Sequence, residues 1–162
     1  AVSAGDPLFS ALGTTSTATL VATKSAPADP ARLVDLVYAQ NQPEMINAVF
    51  DLIGSGRFRS SVAIGGVDLA SMSKDDAAAI EVAGRLVSCD LGLDCSANRP
   101  EVQLACMGGD CQYADYTDYV KTRYRVNPIR NPIVVDWAKV EAFRAQMSSA
   151  ITQGDRSYLT WH

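Results

Sequence analysis

Histidine is almost missing from this chain: the single one, His162, is the last of 162 residues. A Ser, His and Asp triad, a Cys and His zinc set and a CxxCH haem attachment each need an internal imidazole, so all three are excluded. No CxxC pair and no Asn-x-Ser/Thr sequon occurs. No apolar run approaches the ~20 residues needed to cross a bilayer, so no transmembrane segment is expected. Glutamate is scarce as well, and a glycosidase acid would have to be Glu44, Glu81, Glu101 or Glu141, none in a recognisable frame. A net charge of −4 argues against general nucleic-acid binding, whose affinity rests on neutralising phosphates.

What the chain does have is a cysteine cluster. Cys89, Cys95, Cys106 and Cys111 fall within 23 residues, in CDLGLDCSANRPEVQLACMGGDC, and there are no others. Structural zinc sites want cysteines two to four residues apart, whereas here five, ten and four residues intervene. The even count at close spacing therefore predicts two disulfides and an oxidising compartment, with no metal and no cofactor. Four cysteines allow three pairings. A helix ending near Cys89 and a second one carrying Cys106, each followed by a glycine-containing turn, make Cys89 with Cys95 and Cys106 with Cys111 a candidate arrangement. Loops that short stabilise by roughly 2 to 2.5 kcal/mol each in the chain-entropy picture, against about 3 for a longer, crossed bridge. Asp90, Asp94, Glu101 and Asp110 outnumber Arg99 in the cluster, and carboxylates raise a thiol's pKa, so the role is structural rather than redox-catalytic.

The length suits one domain with a sizeable core, taken as residues 1–162, and 48% hydrophobic residues with 20% charged ones fit a globular protein. The opening AVSAGDP has no initiator Met and no basic or apolar leader, as expected of an exported protein whose signal has been removed. Charge is uneven: residues 1–111 carry 7 basic and 13 acidic side chains, residues 112–162 carry 7 and 5.

Periodicity predicts an all-α fold, an irregular bundle or stacked helical hairpins of six to seven helices. Residues 1–29 read as loosely structured, with a short helix from Asp6 to Leu12 and a strand-like run at Thr17–Ala22. Asp29 and Pro30 open a helix that Asn41 ends, and a second runs from Pro43 to Ile53, the two forming a hairpin. Ser61–Ile64 is a candidate extended run. Ser73 and Asp76 form a capping box for a helix from Lys74 to about Cys89. Pro100–Met107, a segment from Asp115 or Thr117 to Arg125, and Val134–Thr152 supply three more, while NPIRNP at 127–132 forbids helix. The last helix shows a stripe of Val135, Ala138, Ala142, Phe143, Met147 and Ala150.

Few strings carry chemistry. Ser71 and Lys74 in SMSK match the SxxK of serine acyl-transferases, but no SDN or KTG element accompanies them, and helix capping by Ser73 explains the string. Asp75 and Asp76 suit a helix first turn. Asp90, Asp94 and Asn98 lack the order of a calcium loop. The segment QYADYTDYVKTRYRVNPIR holds the candidate binding residues Tyr113, Tyr116, Tyr119, Arg123, Tyr124 and Arg125, since Tyr and Arg are enriched at protein interfaces. Its plainer reading turns Tyr116, Val120 and Tyr124 inward and leaves the charges solvated. Arg57 and Arg59 around Phe58 form a smaller patch of that kind.

The four-cysteine run, the tyrosine-rich helix after it and a closing helix ending in GDRSYLTW resemble a family of uncharacterised, exported helical proteins of gammaproteobacteria. The resemblance covers about residues 85–162 and implies export and helicity, without an activity. The expectation is a periplasmic or secreted protein that binds a protein partner, with an envelope immunity or inhibitor protein as one concrete form. The alternative is a cell-wall-acting enzyme whose carboxylates only the fold assembles.

Overall fold

A computed structural model describes residues 29–39, 43–54, 59–125 and 135–162. Six α-helices lie among them: α1 Pro30–Tyr38, α2 Pro43–Gly54, α3 Lys74–Asp90, α4 Pro100–Met107, α5 Tyr116–Arg125 and α6 Trp137–Gln153. The fold is mostly helical, as the periodicity predicts. The expected helix near Asp6 and strand-like run at Thr17–Ala22 lie outside the described residues, as do the 127–132 segment and Arg57 and Phe58 of the smaller patch.

Helix α3 is the centre of the packing, with α2 and α6 laid along it. Its composition makes this possible. Ala77, Ala78, Ala79, Ala83 and Gly84 are all buried, so neighbouring helices approach closely between the larger buried Ile80, Val82, Leu86 and Val87. A Cβ at Gly84 would stand 2.5 Å from Cδ1 of Phe50, so glycine is what admits that ring. The start is capped as the sequence predicts: Ser73 Oγ accepts from Asp76 N at 3.1 Å and donates to the Asp76 carboxylate at 2.7 Å. Helix α6 buries Val140, Met147, Ala150 and Ile151. The expected stripe thus needs correction, because Ala138 and Ala142 face water and the larger Val140 and Ile151 take the inner face.

One feature departs from a purely helical reading. Strands β1 Val62–Ile64, β2 Val67–Asp68 and β3 Leu159–Trp161 form an antiparallel sheet in the order β2-β1-β3. Val62–Ile64 of the expected extended run form its middle strand, fully buried, with Ile64 opposite Leu159 and Val62 opposite Trp161, while Ser61 ends the short 3-10 turn before it. Gly154, at φ 70°, turns the chain out of α6, and the Tyr38 hydroxyl donates to Asp155 O and accepts from Leu159 N. Helix α1 is thereby tied to the returning strand, and both join one apolar cluster with α2, α3 and α6.

Candidate functional site

The cysteine segment is built outward from the end of α3. Cys89 lies in its last turn, the chain reverses through Leu91 and Gly92 (φ 107°), and Cys95 closes the loop with Cα atoms 5.6 Å apart. The second bridge joins Cys106, near the end of α4, to Cys111 beyond the Gly108–Gly109 turn. The pairing is therefore local in both cases. The two bridges differ in setting: Cys89 and Cys95 pack against the core cluster, whereas Cys111 is exposed.

Arg99 holds this segment together. It is 4% exposed, yet its guanidinium is fully engaged: Nε and Nη2 donate to the two oxygens of Glu101 at 3.0 and 3.2 Å. Nη1 reaches Cys95 Sγ at 3.1 Å and Nη2 reaches Asn47 Oδ1 of α2 at 3.5 Å. Its flat face covers the Tyr116 ring, 3.7 Å from the centroid. Tyr116 N donates to Cys95 O at 2.9 Å, so the disulfide loop, α2, α4 and α5 meet at one cation. Burying a guanidinium is costly unless paired and hydrogen-bonded, and here every side of it is.

Tyr116 is thus a core residue, 3% exposed, which removes it from the candidate binding surface. Burial raises its hydroxyl pKa. Beyond it a ladder runs toward solvent: Tyr119 stacks on Tyr116 with centroids 5.9 Å apart, and Tyr113 meets Tyr119 edge-on at 5.2 Å. Arg123 donates to the Tyr119 hydroxyl at 2.6 Å and stays exposed, while the Tyr113 hydroxyl donates to Asp110. Four of the predicted residues therefore do come together, Tyr116 inside and Tyr113, Tyr119 and Arg123 at the edge. Tyr124 and Arg125 belong to α5, and their side chains lie outside the described ones.

No protein-family model, curated protein or solved structure matches the chain.

The surface that sequence reasoning missed is on α4. Pro100, Gln103, Leu104 and Met107, at the spacing of one helical face, are all exposed, and Leu104 and Met107 are open to 65% and 83%. Val102 sits roughly opposite them around the helix and is the buried anchor of α4; with apolar residues on both faces, the sequence alone does not say which one turns inward. Leu104 and Met107 are thus large apolar side chains held outward on a short helix next to both disulfides.

The chemistry-bearing strings are dispersed. Ser71 Oγ donates to Asp68 O at 2.8 Å, one turn before the helix. Asp90 takes a bidentate pair from Arg144 and a hydrogen bond from Ser148, while Asp94 accepts from Ser96 N within its own loop. Among the described residues no three His, Cys, Asp or Glu side chains come together to hold a metal ion. Phe50, Ile64, Met147, Ile151, Tyr158 and Leu159 line a tight apolar crevice beside β3 that has no room for a water-sized molecule. Asp51 and Glu101 lie close enough for Glu101 to act on Asp51 electrostatically. Burial raises Asp51, with Arg85 opposing, and Glu101 is lowered because Arg99 outweighs its burial.

Proposed function

We propose that this protein binds a protein partner in an extracytoplasmic compartment, and that the outer face of α4 with the neighbouring Tyr119–Arg123 edge is the contact surface. The observation that carries the reading is Met107, 83% exposed beside Leu104 on a helix whose backbone two disulfides brace. A braced helix loses little conformational entropy on docking, and methionine adapts to a partner's shape. Export rests on the two disulfides, which persist in oxidising compartments, and agrees with the absence of any membrane-crossing helix among the described residues. An inhibitor or immunity protein of the cell envelope is the concrete form that fits a small, braced, rigid surface.

The enzymatic alternative is less well supported, since Asp51 and Glu101 each face an arginine. The test is affinity capture from the native envelope by the wild-type protein and by a Leu104→Ser, Met107→Ser variant. A protein captured by the first and lost with the second, at unchanged melting temperature, supports the surface. Identical capture by both would move the contact elsewhere.

A further inference from the structure

The outer face of α4 carries the exposed Leu104 and Met107, with a carboxylate near each end. Residues 100–112 contain Glu101 and Asp110 and no Lys or Arg. Glu101 lies in the first turn with 42% of its side chain exposed; both its oxygens accept from Arg99, whose guanidinium is turned into the core, so the carboxylate forms the outer edge of that pair. At the other end the last turn of α4 carries no basic residue, although a helix C-terminus is where cations are favoured. Asp110 follows directly after the Gly108–Gly109 turn, its two carboxylate oxygens accepting from Gln112 Nε2 and the Tyr113 hydroxyl. Arg123, the cation that acts on Tyr113 in this region, has one nitrogen committed to the Tyr119 hydroxyl.

We propose that this face docks a basic amphipathic segment of the partner, with apolar residues at helical spacing against Leu104 and Met107 and Lys or Arg toward Glu101 and Asp110. The inference rests on the binding reading above and specifies its partner's chemistry. A second copy of this chain fits worse, because pairing two α4 faces would set carboxylate against carboxylate at both ends. An anionic lipid surface is opposed by the same two carboxylates.

The experiment titrates two synthetic peptides with one apolar helical pattern, one with Lys and one with Glu at the polar positions, into the full protein by calorimetry. The Lys peptide should bind saturably, at least about tenfold tighter than the Glu peptide, and weaken as salt is added. The Leu104→Ser, Met107→Ser variant should weaken it by at least about tenfold, and Asp110→Asn by a smaller factor. Equal affinity for both peptides, no saturable binding of the Lys peptide, or binding untouched by the double variant overturns the inference. So does Met107-dependent self-association in sedimentation, or Met107-dependent binding to phosphatidylcholine vesicles, without peptide binding. If envelope capture depends on Leu104 and Met107 while the Lys peptide fails, the binding surface stands and the basic partner falls. If capture ignores the double variant, the surface itself falls.

Discussion

The guanidinium carbon of Arg99 sits 3.7 Å from the centre of the Tyr116 ring, with the two residues 4% and 3% exposed. This contact decides what the tyrosine-rich segment can do. Tyr116, in the middle of the candidate binding run, is consumed by folding, and its neighbours inherit the surface. It also ties the first disulfide to α5, because the backbone of Tyr116 hydrogen-bonds to Cys95 while the side chain of Arg99 reaches its sulfur.

Arg99→Ala should therefore destabilise by about 3 kcal/mol, through the lost desolvated cation–π contact and the polar groups left unpaired. Arg99→Lys should recover less than half of that, since an ammonium cannot fork onto Glu101 and cover the ring together. Tyr116→Phe should cost under ~1 kcal/mol and Tyr116→Ala about 3 to 5. Urea unfolding followed by circular dichroism checks all four, and an Arg99→Ala variant within ~0.5 kcal/mol of wild type would rule out this account.

Gly84 is the second fixed point. Replacing a mid-helix glycine by alanine ordinarily gains up to ~1 kcal/mol. Here the new methyl would meet Phe50 Cδ1 at 2.5 Å and Cγ at 2.9 Å, and both sit in the buried α2–α3 contact. Gly84→Ala should thus lose about 1 to 3 kcal/mol. A Phe50→Leu background should relieve part of the loss, giving a measurable coupling in a double-mutant cycle.

The two disulfides should part company under a dithiol reductant. Cys111 is exposed and its bridge closes a surface turn, whereas Cys89 and Cys95 pack on the core beside Arg99. Cys106–Cys111 is expected to open first, with alkylation and peptide mapping showing the order. Removing it as a serine pair should cost roughly 2 kcal/mol of chain-entropy stabilisation, and removing Cys89–Cys95 should cost more because packing is lost as well. Simultaneous opening of both would contradict the asymmetry.

Much of the helical frame was legible because it is written in local signals. Ser73 with Asp76, and Pro100 with the Gly108–Gly109 turn, bound α3 and α4 in the sequence as they do in the fold. The local cysteine pairs follow from where those helices end. The sheet was legible only in its middle strand, because Leu159–Trp161 is three residues whose strand character comes from pairing with β1 and from the Tyr38 hydroxyl, 121 positions away. Arg99 reads in the sequence as one cation among acids, and nothing local says that it is buried, since Asn47 and Tyr116 come from distant helices. Tyr116 could be assigned to core or surface by helical spacing alone, and only that long-range stacking chooses.

Acid should act through two carboxylates with opposite signs. Burial pushes Glu101 up, but the hydrogen bonds and charge of Arg99 prevail and hold it below its ordinary 4.5. The folded chain therefore keeps this group charged where the unfolded chain has taken up a proton. The stability it contributes is complete above the ordinary value and is lost as pH falls through the folded one. Asp51 moves the other way: although 47% of its side chain meets water, burial of the rest raises it above 3.8 against the pull of Arg85. The folded chain takes up that proton first, so acidification favours folding at this position and opposes the loss at Glu101. Glu101→Gln should lower the melting temperature near neutrality and flatten its fall on acidification. Asp51→Asn should leave the neutral value equal or slightly higher and make the fall steeper. Melting curves between about pH 7 and about pH 3 separate the two, and parallel profiles for wild type and Glu101→Gln would show that the Arg99 pairing does not set the acid limit.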